Sequence, residues 1–92
     1  MKYLSRVAEL GCVLCRRIGF EDTPAEIHHI RDGQGMAQRS SDYLAIPLCR
    51  EHHRGDSGVP GLGTGRFERR YKLTELDLLA DVIRELTRGE PR

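Results

Sequence analysis

The chain has 92 residues and a net charge of +1, with no tryptophan and only Phe20, Phe67, Tyr3, Tyr43 and Tyr71 to supply aromatic ring surface. That length excludes more than one domain, here 1–92, and leaves a modest core that a bound metal would help to hold. No apolar run approaches the ~20 residues of a membrane span, and Met1-Lys2-Tyr3-Leu4-Ser5-Arg6 does not read as a signal peptide, so the expectation is a soluble, cytoplasmic protein.

In chain order, residues 2–10 predict a short helix on the rough stripe Tyr3, Leu4, Val7, Ala8 and Leu10, with Gly11 suited to its C-terminal cap. Cys12-Val13-Leu14-Cys15 is a CxxC knuckle, followed by a loop over residues 16–24. Residues 25–30 predict a strand that ends in a turn over 31–35, and residues 36–41 are irregular. A second strand is expected over 42–48 from the alternation of Leu44, Ile46 and Leu48, although Pro47 demotes it to an edge position. The two strands pair as an antiparallel hairpin that sets His28 and His29 near the end of the second strand. Residues 49–54 then start a short helix. Residues 55–65, with five glycines and Pro60, read as a loop. Residues 66–72 predict a short basic helix or turn with Phe67 and Tyr71 at i, i+4. In the last helix Thr74 is the N-cap, Asp77 makes an acidic capping box, and Leu76, Leu79, Ala80, Ile83 and Leu86 form the core stripe up to Gly89. Strands and helices in this order make the fold class α+β.

Donor atoms cluster in this frame. Three cysteines are an odd number for disulfides, and a reducing compartment favours thiolate ligation. A redox CxxC is the rival reading, against which stands Cys49 followed by two histidines. Cys49 and His52 repeat the two-residue spacing of Cys12 and Cys15, and a CxxC…CxxH set supplies the four soft or borderline donors of a structural Zn²⁺ site. His52 and His53 are adjacent and point in different directions, so each serves its own centre. By spacing, His52 completes the zinc set, with an exchange of roles with His53 left open. His28, His29 and His53 then form a candidate catalytic site beside it.

Charge adds a weak signal. Residues 1–30 are balanced, residues 31–72 carry +3 and residues 73–92 carry −2. The positive stretch contains Arg50, Arg54, Arg66, Arg69 and Arg70, which are candidate phosphate contacts.

The CxxC knuckle, the His-His pair on a strand and the closing CxxHH resemble the HNH, or ββα-metal, endonucleases. Within that group Glu26-Ile27-His28-His29-Ile30, the stretch from Ser41 to Cys49, His52-His53-Arg54-Gly55 and Arg66-Phe67-Glu68-Arg69-Arg70-Tyr71 resemble the phage Ref (recombination enhancement function) nucleases, over roughly residues 10–75. The resemblance implies a small zinc-stabilised ββα-metal (HNH) fold with flanking helices. It also implies a metal-dependent DNA endonuclease in a bacterial or phage-infected cell, acting with a RecA recombinase filament. His29 is then the general base, His28 and His53 are ligands of a catalytic divalent ion, and Asp42 or Ser41 lies near the usual Asn position, farther from Cys49 than in the usual pattern. Pro60 is a second departure, standing in a loop where similar sequences often carry a His. The chemistry is consistent without the family. An imidazole of pKa near ~6.5 can take a proton from water at neutral pH, and a divalent ion (Mg²⁺, Mn²⁺ or Zn²⁺) can neutralise charge developing on phosphate. The alternative is a zinc-binding module that holds nucleic acid or protein without cutting it.

Overall fold

A computed structural model of the chain describes residues 2–31 and 41–88. The first helix, α1 (Tyr3–Glu9), ends at Gly11, whose φ of +78° only glycine adopts easily. A side chain there would also press on the Thr23 carbonyl, which accepts the Cys12 amide at 2.8 Å. The knuckle itself winds into α2 (Val13–Arg17), so the expected loop starts later than residue 16.

The strands β1 (Glu26–His29) and β2 (Ala45–Leu48) pair antiparallel in the register Glu26↔Leu48, Ile27↔Pro47, His28↔Ile46, His29↔Ala45. The two histidines therefore lie opposite the start of β2, not its end, and Glu26 takes the place beside Cys49. The Ile30 amide donates to Leu44 O at 2.8 Å, which puts the hydrogen-bonded pairs at even positions. Pro47 falls on a non-hydrogen-bonded pair, where its missing N–H deprives β1 of nothing. All four β2 residues are buried, because α1, α2 and α6 pack against that strand. The apolar alternation had suggested one buried face.

The strand expected from residue 42 begins only at Ala45. Asp42–Leu44 is a 3₁₀ turn, started by Ser41 Oγ accepting from the Tyr43 amide at 3.1 Å. This local bond competes with ladder pairing and wins. The turn at 31–35 and the irregular stretch 36–41 lie, except for Arg31 and Ser41, outside the described residues, as does the helix end at Gly89.

After β2 come α3 (Arg50–Arg54), α4 (Val59–Leu62), α5 (Thr64–Tyr71) and α6 (Glu75–Leu86). Helix α4 lies where a glycine loop was expected. Gly58 explains its tight seat, since a Cβ there would come within 2.3 Å of the His52 carbonyl oxygen. On α5 the ring of Phe67 is buried and lies 4.9 Å from that of Tyr71, while Arg66, Arg69 and Arg70 are exposed.

The capping box of α6 is as predicted. Thr74 Oγ1 accepts from the Asp77 amide at 3.1 Å, and Asp77 Oδ2 accepts from the Thr74 amide at 2.8 Å. Its core stripe is so only in part: Leu79 is buried and Leu86 packs against the core, but Ala80 is exposed. Leu78, Leu79 and Val82 are buried, whereas Leu76 and Ile83 are 51% and 48% exposed. Both sets satisfy helical spacing. The face that meets β2 and α2 decides between them, pinned by ion pairs from Arg17 to Asp81 at 2.8 Å and Arg16 to Glu85 at 3.1 Å. Val7, Leu14, Ile46, Leu48, Phe67, Leu78 and Val82 are wholly sealed from solvent, each stabilising by ~1.5–3 kcal/mol. Among the described residues, no helix is long and apolar enough to cross a membrane.

Candidate metal centre and histidine hollow

Helix α3 carries its two histidines in opposite senses. His52 turns inward and is 8% exposed, and His53 faces β1. Cys12 and Cys15 come from the turn into α2, Cys49 from the N-cap of α3, and His52 from one turn later. Their four donor atoms lie within 4.8 Å of one another. Cys15 Sγ is 3.7 Å from Cys49 Sγ and 3.5 Å from His52 Nδ1, and Cys49 Sγ is 3.3 Å from the same nitrogen. A tetrahedral ion with metal–sulfur bonds of about 2.3 Å sets edges of roughly 3.5–3.8 Å, so the cluster could hold a structural metal such as zinc. Its chemistry fits as well. Burial, helped by the neighbouring Cys12 and Cys49 thiols, pushes the Cys15 thiol up from 9.0 to about 12, against a smaller lowering by Thr23. A cation bound there offsets that cost for Cys15, since a coordinating thiol gives up its proton outright. Burial also lowers the pKa of His52, and the neutral imidazole is the form that ligates. The Tyr71 ring packs edge-on to His52 at 5.7 Å, and its hydroxyl donates to the Ser57 carbonyl at 2.9 Å.

A second, more open group lies on the other side of α3. The rings of His28 and His53 are 5.3 Å apart and nearly perpendicular. Each is tied to a carboxylate. His28 Nε2 is 2.5 Å from Glu75 Oε2, and His53 Nδ1 is 2.9 Å from Glu26 Oε1. His29 Nε2 is 3.0 Å from Asp42 Oδ1. His28, His29, Arg31, Pro60, Thr64 and Glu75 border a hollow of about 400 Å³, so the loop proline forms part of its wall. A hollow of about 240 Å³ between α2 and α6 contains no imidazole or thiol and is edged by Arg16, Arg17, Asp81 and Glu85.

The structure thus brings His28 beside His53 and turns His29 toward Asp42. It gathers no third donor among the described residues to complete a coordination set there. Among the described residues, the cysteine cluster is the one group of three or more His, Cys, Asp or Glu side chains placed to hold a metal ion. Of the arginines picked out in the sequence, Arg50 is exposed on α3, and Arg66, Arg69 and Arg70 are exposed on α5. Arg54 is engaged, donating through Nε and Nη2 to Glu26. Arg54 first, and His53 second, hold the Glu26 carboxyl below its ordinary range.

Two acids carry more than the sequence suggested. Glu26 reads as a surface partner, yet it bridges His53 and Arg54. Glu75 had no signal at all, because it meets His28 across 47 residues and no local spacing links the two.

No curated protein and no solved structure matches the chain. A family model described as "Recombination enhancement, RecA-dependent nuclease" matches residues 2–87, nearly the whole chain and both donor groups. On that match the chain belongs to the recombination enhancement, RecA-dependent nuclease family.

Proposed function

We propose that the protein is a metal-dependent DNA endonuclease of the HNH (ββα-metal) type, one domain acting in the cytoplasm of a bacterial or phage-infected cell. Family membership implies a nucleic-acid substrate and the involvement of RecA. The observation that carries the finer reading is the succession β1–β2–α3, which sets His28 and His29 on a strand beside His53 on a helix anchored by the cysteine cluster. In this reading Cys12, Cys15, Cys49 and His52 hold a structural zinc.

The chemistry required is hydrolysis of a phosphodiester. His29 acts as general base: Asp42 engages Nε2, which leaves Nδ1 to take the proton from water. His28 and His53 would hold the divalent ion (Mg²⁺, Mn²⁺ or Zn²⁺), and the donor set suits it, since each ring has one nitrogen held by a carboxylate and one left over. When bound, that ion supplies Lewis-acid stabilisation of the phosphate. Arg66, Arg69 and Arg70 on α5, with Arg50, contact the backbone phosphates and position the strand without reading its sequence. A net charge of +1 makes this grip weak by itself, which fits delivery by a recombinase filament.

The test is plasmid nicking with Mg²⁺ or Mn²⁺, with and without a RecA filament, by wild type and His29→Ala. Cutting by the wild type and its loss in the variant are expected. A variant that cuts as fast as wild type sinks the assignment of His29. A second reading, a zinc-binding module that binds without cutting, is favoured by the missing third donor in the hollow. It requires that no metal and no filament elicits cleavage by the wild type.

A further inference from the structure

Glu75 is the first residue of α6, and its backbone is fixed by the capping box that starts at Thr74. Its carboxylate and the His28 ring are 13% and 14% exposed. Withdrawing an acid and an imidazole this far from water costs free energy that a casual surface pair does not repay. Asp77, the other acid in this first turn, is occupied in capping. Glu75 takes no part in the capping box, and its carboxylate borders the hollow and meets His28.

The two imidazoles beside it are tied at different nitrogens. Glu26 takes the Nδ1 side of His53, and Glu75 takes the Nε2 side of His28. No described residue is hydrogen-bonded to the remaining nitrogen of either ring. We propose that Glu75 is a positioning residue that accepts the Nε2–H of His28, fixes that tautomer and ring orientation, and so presents Nδ1 as the ligating atom, as Glu26 presents Nε2 of His53. This rests on the reading above that His28 and His53 hold a divalent ion.

A rival role for Glu75 is direct ligation of the same ion. That role needs its oxygen, a His28 nitrogen and a His53 nitrogen gathered around one point. Among the described residues, Glu75, His28 and His53 do not form such a group of three side chains. The oxygen faces the nitrogen of His28 at hydrogen-bond distance, as an orienting partner does. Sequence spacing could not reveal such a contact, since the orienting acid comes from the far end of the chain.

The experiment compares wild type with Glu75→Ala, Glu75→Gln, His28→Ala and His53→Ala, all zinc-loaded at the cysteine cluster and checked by thermal melting. Binding of Mn²⁺ alone is followed by calorimetry and electron paramagnetic resonance. The His28 tautomer is read from ring ¹⁵N shifts in the Mn²⁺-free samples at one pH. Glu75→Ala should weaken Mn²⁺ binding about 10- to 100-fold and leave His28 in a mixture of tautomers. Glu75→Gln keeps an oxygen acceptor, so it should hold the tautomer and recover most of the affinity. If Glu75→Ala binds Mn²⁺ as wild type does, the proposal is overturned. It is overturned too if Glu75→Gln binds as weakly as Glu75→Ala with the His28 tautomer unchanged, which identifies a direct ligand. Unchanged Mn²⁺ binding in both His28→Ala and His53→Ala would instead remove the ion-site reading beneath it.

Discussion

The cysteine cluster and the histidine hollow stand on opposite sides of one short helix. Cys12, Cys15, Cys49 and His52 are all buried and their donor atoms close on one another. His28, His53 and His29 keep 14%, 25% and 31% of their side-chain surface, and each is balanced by an acid. The first arrangement is buried, as structural metal sites are, so a metal held there would act on the fold. The second leaves ring nitrogens and an open hollow, which reacting groups need, at the cost of a less complete coordination set. Soft donors sealed from water and imidazoles each held by a carboxylate beside an open hollow are two different arrangements of ligand-type side chains.

The sharpest way to break this contrast is to remove the metal from the buried side. Cys15→Ser, or chelation of the wild type, should abolish cooperative unfolding, because binding free energy of a structural zinc is folding free energy. Elemental analysis with circular dichroism checks it, and a metal-free protein that melts like the wild type would show the cluster to be only a set of buried thiols. Next in size is cleavage. His29→Ala should lower the rate by ~10²–10⁴-fold with an unchanged melt, and His53→Ala should lose cutting that excess metal partly restores. His52→Ala, one residue away, should lose metal and stability together. Should His53→Ala melt and His52→Ala not, the two sides of α3 have been assigned the wrong way round.

Smaller effects sharpen the same boundary. Thr74→Ala removes half of the capping box beneath Glu75 and should cost about 1 kcal/mol, measured by denaturant unfolding, with the cysteine cluster still metallated. The smallest effect concerns Glu51, which accepts from both the hydroxyl and the amide of Ser57, and these bonds, the hydroxyl's first, lower its pKa. A carboxyl lowered on folding contributes stability that is present above its unfolded pKa of ~4.3 and is lost as pH falls through the lower folded value. Glu51→Gln should therefore flatten the acid limb of the stability profile and leave neutral-pH cleavage unaltered. An acid limb identical to that of the wild type would remove Glu51 from the account.

How much of this the sequence displayed depended on distance along the chain. The metal set was legible because two bracketed pairs, Cys12 with Cys15 and Cys49 with His52, announce themselves by local spacing. The hairpin and the Thr74–Asp77 box were legible for the same reason. What escaped was decided by tertiary neighbours. Leu76 and Ile83 satisfy the helical period as well as Leu78 and Val82 do, and only β2 and α2 choose between them. Asp42 to Leu44 looked like strand until Ser41 diverted the backbone into a turn. Glu75 carried no local mark of its partnership with His28. Asp42 stood out in the sequence only as lying near the usual Asn position, and its hydrogen bond to His29 was not anticipated.

The side-by-side placement of His52 and His53 also limits how this chain can change its length. Each residue added to an α-helix turns everything after it by ~100°. A single insertion between Cys49 and His52 would swing His52 out of the thiol cluster and at the same time rotate His53 away from β1 and its partner Glu26. An insertion beyond Gly58 carries no such double penalty, because both histidines are already set by then. Helix α3 is therefore a ruler read from both sides, and length variation does not belong along it.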